Sequence, residues 1–437
     1  MSQAVVNRVS AKVYDGQGDE LGPIASFGCQ FFVGVAFTIS FYAIGVETLP
    51  AMASVGLFAG VLGILVLAPR RVLHHIPVSL SVIALIGWMA MSTWWTANPQ
   101  GTAIAITREV PIYLGMVLVI GMMPMRHLLS ALLWAIRIVV LVSVVAIILL
   151  PEARIHFDDS GQNPPLPGWH GLFPHKNVMT PFLTFGVLTI LTFDRSRWLK
   201  YGTLGTIAVV MVGSDSVTGL SSVTLAVGIW VWLQLYRNLD IRGSSVFVLS
   251  TVVMALAAVV GLVASISSVV DASGKDVTFT GRTFIWDGVA TAIAERPFIG
   301  WGMNGILAAP VTPQTVEVWR EIGFEPPHAH NGLLDLWVEL GIVGVVLFSI
   351  IYVGTLIDGA KLVRENPKIG AWVVSILAVQ VFISISEPVF VGIGWFSIMV
   401  MLRTVTLRRY GMEFEAGSDL ATRLQTHRFR PQGWSRI

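Results

Sequence analysis

Apolar runs of roughly 18 residues or more recur along the whole of this chain, and nothing else in it constrains the fold as strongly. A helix rising ~1.5 Å per residue needs about 20 such residues to cross a hydrocarbon core of ~30 Å. In lipid the backbone finds no water to bond, so each run folds most economically as a helix closed on its own hydrogen bonds. With 54% of residues apolar and only 12% charged over 437 positions, the composition leaves no room for a set of soluble domains. The expected fold class is all-α: a polytopic membrane protein of about twelve transmembrane helices, with a large extracytoplasmic loop that contains an amphipathic helix.

The twelve expected spans lie near 26–46, 50–68, 77–95, 108–123, 128–150, 177–193, 201–214, 218–236, 244–268, 331–356, 369–386 and 389–403. Ser214-Asp215-Ser216 is too polar for a lipid-facing midpoint, so the run 201–236 divides there, with a single bent helix as the alternative. No internal repeat of the kind that builds secondary transporters is visible. The divisions are a cytoplasmic N-terminal segment 1–25, a transmembrane domain 26–403 and a basic tail 404–437. The polar start, Met1 to Gly22, lacks the charged-then-apolar-then-small order of a cleavable signal peptide.

Orientation follows from the flanking Lys and Arg. With the N-terminus inside, twenty of the 28 basic residues fall in cytoplasmic segments, including seven arginines from Arg403 onward. Seven fall outside: Arg108, Arg154, Lys176, Lys275, Arg282, Arg296 and Arg320; Arg137 lies within a span. The expected location is thus the cytoplasmic membrane, multi-pass, with both termini cytoplasmic. Two large outer loops remain, about 151–176 and 269–330. The tail suits a surface near anionic lipid. Cys29 is the only cysteine, which excludes disulfides and cysteine-based metal sites within one chain. A net charge of +2 gives no reason to expect nucleic acid as a partner.

The outer loops carry few cations, so those present need a reason. The first holds Trp169 to Asn177, with Lys176 near its end; an interfacial belt of Trp and Lys at headgroup depth is the plainer reading. The second is a polar island from Asp271 to Asn331. It contains Gly281-Arg282-Thr283 with Trp286 three residues on, and closes with His328-Ala329-His330-Asn331. From Arg282 to Ala294 the apolar spacing predicts an amphipathic helix on the membrane surface, ended by Pro297 and the Gly300-Trp301-Gly302 turn. An arginine beside a helix N-terminus forms an anion site, and a diphosphate is the natural guest at a bilayer surface. His330 should begin the tenth span, where an imidazole of ordinary pKa can take or give a proton at neutral pH. His328 and His330 with Asp335 and Glu339 leave a metal site as an alternative. Glu387, in the hairpin Ser386-Glu387-Pro388, reads either as a site residue or as a solvated turn carboxylate.

These pieces together resemble the O-antigen ligase and polysaccharide polymerase superfamily, within it the exopolysaccharide-polymerase branch. The matching stretches are Trp169 to Asn177 (W-x-G-L-F-x-H-K-N), Ser214 to Thr218 (S-x-S-x-T), Gly274 to Trp286 (G-x-D-x-T-x-T-G-R-T-x-x-W), Arg296 to Gly302 (R-P-x-x-G-x-G), His328 to Gly341 (H-A-H-N-x-x-L-D-x-x-x-E-L-G) and Ser386-Glu387. They occur in family order between about 169 and 388.

The resemblance implies a metal-independent glycosyltransferase without a cofactor. Its donor would be a glycan on a polyprenyl diphosphate, its acceptor a glycan or lipid-linked glycan hydroxyl, on the outer face of the membrane. Arg282 would bind the diphosphate leaving group, and His330 would act at the acceptor hydroxyl as base or positioner. Lys176, His175, Asn177, His328, Asn331, Trp286 and Glu387 are the candidate substrate-binding residues. Two positions depart from the family: Val217 stands where a basic residue often follows the S-x-S segment, and His170 where arginine is common. Lys176 is the candidate to supply the missing charge. A transporter or flippase for lipid-linked glycan is the competing reading. It predicts charges spread through mid-membrane, whereas here they gather at one face.

Overall fold

The computed structural model describes residues 23–40, 48–68, 73, 76–156, 166–236, 254, 282–390, 392 and 394–408. Outside them lie residues 1–22 of the N-terminal segment, all of the expected ninth span but residue 254, the stretch Gly274 to Gly281 and the basic tail from 409 onward.

Helix follows helix: α1 Pro23–Ser40, α2 Thr48–Leu67, α3 Leu80–Met91, α4 Pro99–Met122, α5 Met125–Leu149, α6 Lys176–Phe193, α7 Arg197–Gly213, α8 Val217–Tyr236, α9 Arg282–Glu295, α10 Pro313–Ile322, α11 Gly332–Glu365, α12 Pro367–Ser384 and α13 at 394–408. A two-residue antiparallel ladder, β1 Ile155–His156 with β2 Leu166–Pro167, closes the loop after α5. Among the described residues, six helices are long and apolar enough to cross a membrane: α4, α5, α6, α8, α11 and α12. Shorter apolar helices lie at Pro23–Ala36, Ala53–Leu67 and Leu80–Trp94. The chain is an all-α polytopic membrane protein.

One core runs through the bundle, with α4 against α2, α12 against α11, α8 and α6, and α5 against α1. Small residues allow these approaches, as is usual where lipid supplies no hydrophobic drive between helices. A Cβ on Gly219 of α8 would stand 2.5 Å from Thr180 of α6, and one on Gly370 of α12 2.1 Å from the backbone of α11. Two acidic residues of the bundle are paired with cations, since an isolated charge in lipid is costly. Arg137 of α5 meets Asp194 after α6, and Asp358 of α11 holds Arg403 at 2.7 Å and Lys361 at 3.3 Å.

The expected division at Ser214-Asp215-Ser216 stands between α7 and α8. Other boundaries moved. α4 starts nine residues before the expected 108, because Asn98 caps it through a bond from Gly101 N at 2.9 Å and Pro99 takes its first position. α3 is shorter than 77–95 and ends in a 3-10 turn, Ser92–Trp94. The last helix runs over 394–408 rather than 389–403. α11 begins at Gly332, so His330 lies just ahead of it and Asn331 is the cap, accepting from Leu333 N and Leu334 N.

α11 also differs in kind. It runs on to Glu365 and breaks at Gly341, whose φ of +66° and ψ of −174° are not helical. Five backbone groups lose their normal partners there; the segment 297–302 supplies four of them and Trp88 the fifth. Trp301 N and Gly302 N donate to Val338 O and Glu339 O at 2.8 Å each, while Ile342 N and Val343 N donate to Pro297 O at 2.9 Å and Phe298 O at 3.4 Å. Trp88 Nε1 of α3 supplies Leu340 O at 2.8 Å. The Arg-Pro-x-x-Gly-x-Gly stretch, expected to end the amphipathic helix, thus stitches a broken span. Arg296 braces it by stacking 4.0 Å over the Trp301 ring and donating to Trp95 O at 3.0 Å.

Candidate active site

Four helices begin at one end of the bundle around a single carboxylate, Glu387, which follows α12. α6 brings Asn177 in its first turn; α8 is preceded by Ser216; α9 starts at Arg282; α11 is preceded by His330. Each helix brings the positive end of its dipole to this place. Sequence spacing puts these residues up to 210 positions apart, so only the fold unites them.

Glu387 is the hub. Its Oε1 accepts from Arg282 Nη2 at 3.1 Å and from Asn177 Nδ2 at 2.8 Å, while Oε2 stands 3.8 Å from His330 Nδ1. It is 5% exposed and His330 is 3% exposed, so the solvated-turn reading of Glu387 gives way to a buried charged one. Ser216 Oγ donates to Asn177 Oδ1 at 3.4 Å and also accepts from Gly219 N at 3.1 Å, capping α8. Ser216 was not singled out in sequence, although the S-x-S motif contains it.

Lys176 and His175 lie next to the hub. His175 caps α6, its Nδ1 accepting from Asn177 N at 3.1 Å. Lys176 Nζ donates to Asp215 O at 3.1 Å, which places its ammonium against the S-x-S segment two residues from Val217. Asp215 has φ +49°, a conformation that turns its carbonyl to this use.

The His-Ala-His-Asn segment is held from both sides. Trp286 Nε1 of α9 donates to Ala329 O at 3.0 Å, and Ala329 N donates to Asp335 Oδ1 at 2.8 Å. Asn331 caps α11 and reaches Ile385 O at 3.4 Å. His328 Nδ1 accepts from His330 N at 3.3 Å, with the two rings 4.0 Å apart. His330 itself has φ +50°, a left-handed conformation that costs a non-glycine residue ~1 kcal/mol or more and persists only where the surroundings fix it. Of the nine candidates, Arg282, Asn177, Glu387 and His330 meet directly, Lys176 and His175 flank them, and Trp286, His328 and Asn331 hold His330's segment in place.

Such an arrangement has the groups needed to bind an anion and to move a proton. A cation stands beside helix N-termini, and a buried imidazole stands one carboxylate away. Sequence comparison supplies a likeness: residues 202–349 are similar to the family described as O-Antigen ligase. Over 302 residues the chain is 22% identical to the exopolysaccharide production protein ExoQ of Rhizobium meliloti, covering 65% of this chain and 66% of that one. Shorter likenesses join it to two putative polysaccharide ligases. One, of Rickettsia conorii, is 34% identical over 92 residues (20% of this chain, 22% of the relative). The other, of Rickettsia bellii, is 36% identical over 77 residues (16% and 18%). The matches therefore span just under two thirds of the first relative and about a fifth of the others. The family match includes Ser216, Arg282 and His330 and leaves out Asn177 and Glu387.

Proposed function

We propose that this protein joins glycans, taking them from a polyprenyl diphosphate carrier and passing them to a glycan hydroxyl at the outer face of the cytoplasmic membrane. The observation that carries the reading is the meeting of Arg282, Asn177, Glu387 and His330 where four helices begin. Transfer from a diphosphate needs the charge of the leaving group stabilised as it forms. A fixed guanidinium beside helix N-termini does this in a partly dry site. Transfer also needs the acceptor hydroxyl held in line and relieved of its proton, the role we give to His330. Lys176 adds the second cation that Val217 does not. Neither redox nor metal chemistry is called upon. The donor's tail would lie between helices, which accounts for a sugar-transferring protein built almost wholly of apolar ones.

Arg282→Ala should lower transfer about 10²- to 10³-fold, the loss that follows removal of a group aimed at developing charge. His330→Ala should lower it by about 10²-fold or more. Surface polymer length and amount in cells carrying each variant check both. Polymer unchanged in either would sink the assignment. Between the two activities in this class, the full G-x-D-x-T-x-T-G-R-T match favours a polymerase. Deletion of the gene should then leave single repeat units, whereas unattached long chains would mark a ligase.

A further inference from the structure

Glu387 does more in this geometry than neutralise an arginine. One carboxylate faces both halves of the proposed reaction, the donor side through Arg282 and the acceptor side through His330. It serves them unequally. Oε1 is within bonding distance of Arg282 and Asn177, whereas 3.8 Å separates Oε2 from His330 Nδ1, about 1 Å beyond a hydrogen bond. The backbone of Glu387 is fixed, its N–H donating to Ile383 O at 2.9 Å and its carbonyl accepting from Val389 N at 2.9 Å. Its side chain alone has to move to reach the imidazole. The side chains of Glu387 and His330 are 7% and 4% exposed, so water contributes little to either.

We propose that Glu387 is a positioning residue that changes partner during the reaction. The donor diphosphate displaces it from Arg282, and the released carboxylate turns onto His330 Nδ1. The proposal rests on the donor and acceptor roles given above. The first exchange is anion for anion: a diphosphate carries more negative charge than a carboxylate and replaces it at the guanidinium. A buried carboxylate that loses its cation is costly until it meets another. His330 becomes that cation by taking the acceptor's proton. The hydroxyl proton passes to Nε2, and the acceptor oxygen bonds to the anomeric carbon. The carbon–oxygen bond to the diphosphate breaks, its electron pair staying on the diphosphate oxygen at Arg282. Nδ1–H of the imidazolium meanwhile donates to Glu387. When the diphosphate leaves, the proton passes to water and Glu387 returns to Arg282. The base is therefore armed only when a donor is in place, which sets the order donor before acceptor. It also keeps His330 from activating water against an empty site.

Among the described residues, the charged and titratable groups facing His330 include His328 beside it, Asp335 on α11, Glu387, and Arg282 by way of Glu387. Of these, Glu387 alone is contacted by Arg282 at the proposed donor site, so the test separates it from the others. The full-length chain is held in lipid nanodiscs, with undecaprenyl diphosphate as the probe. Glu387→Gln should bind the probe about tenfold more tightly, because Arg282 has lost its competing anion. Its turnover at saturating donor should fall about 10²-fold. Tighter binding with lost turnover is a split that a damaged site does not produce, and Glu387→Asp should recover part of the turnover. Unchanged or weaker probe binding, or turnover kept, overturns the exchange.

A second measurement needs no variant. By nitrogen-15 NMR of labelled histidine, the probe should raise the pKa of His330 in the unaltered chain, and no rise overturns the proposal. Where Glu387→Gln folds, its rise should be smaller; an equal rise assigns the effect to the probe's own charge and equally overturns it. Arg282→Ala that binds the probe like the unaltered chain sinks the donor reading itself, a result distinct from any of these.

Discussion

Lys176 sits where the chemistry asks for a second cation. Its ammonium is held by the carbonyl of Asp215, one turn of chain from the Arg282–Glu387 pair, by way of Asn177 and Ser216. An ammonium is a compact charge on a flexible stem, suited to following a diphosphate rather than fixing it. Lys176→Ala should therefore raise the donor concentration needed for half-maximal rate by about three- to tenfold and leave the maximal rate near its original value. Steady-state kinetics on a lipid-linked donor decide it, and a fully active variant would reduce Lys176 to an interface anchor. At this scale the sequence was partly readable. Arg282 and His330 stood out because cations and titratable groups are scarce in outer segments. Asn177 entered through the family resemblance, whereas Ser216 and the carbonyl of Asp215 were not singled out, because a short polar residue in a loop has many uses and only its partners distinguish them. Glu387 was visible as a residue beside a proline. Its burial depends on α6 and α9 folding over it, which no local pattern encodes.

Among the elements, α11 separates what periodicity reveals from what it hides. Its apolar run announced a span, but the break at Gly341 did not show, since glycine is common in membrane helices for other reasons. The position requires glycine twice over. Its φ is +66°, and a Cβ there would stand 2.1 Å from Phe298 O. Gly341→Ala should lower stability by about 3 kcal/mol or more, with the segment 297–302 shifted out of place. Thermal unfolding of the purified chain measures it, and an unaltered midpoint would mean that the break tolerates repair. α4 teaches the converse. Asn98 followed by Pro99 is an ordinary start signal, yet the expected span begins only at 108, after Gln100, Gly101 and Thr102. They are helical, and Thr102 is buried, donating to Met303 O at 2.7 Å.

For the whole molecule, the distribution of Lys and Arg predicts one orientation, with both termini in the cytoplasm. Cys29 is buried, so single cysteines placed elsewhere report without background. A membrane-impermeant maleimide on intact cells should label Glu325→Cys, in the segment before His328, and leave Ser196→Cys, between α6 and α7, unlabelled until the cells are opened; both positions are exposed. The reverse pattern would put the Arg282 cluster on the wrong face for a lipid-linked donor. The architecture also bears on how such a chain is made. When α11 leaves the insertion machinery, the carbonyls of Val338, Glu339 and Leu340 have no partner within the helix. Their donors wait upstream, at 301–302 and on Trp88 of α3. A bare carbonyl in hydrocarbon costs several kcal/mol, so α11 is ill-suited to lipid until the preceding loop has docked. The segment that delivers His330 thus becomes comfortable in the membrane only after its upstream half is in place. A chain that stalls before that step presents a polar notch that membrane quality control can recognise.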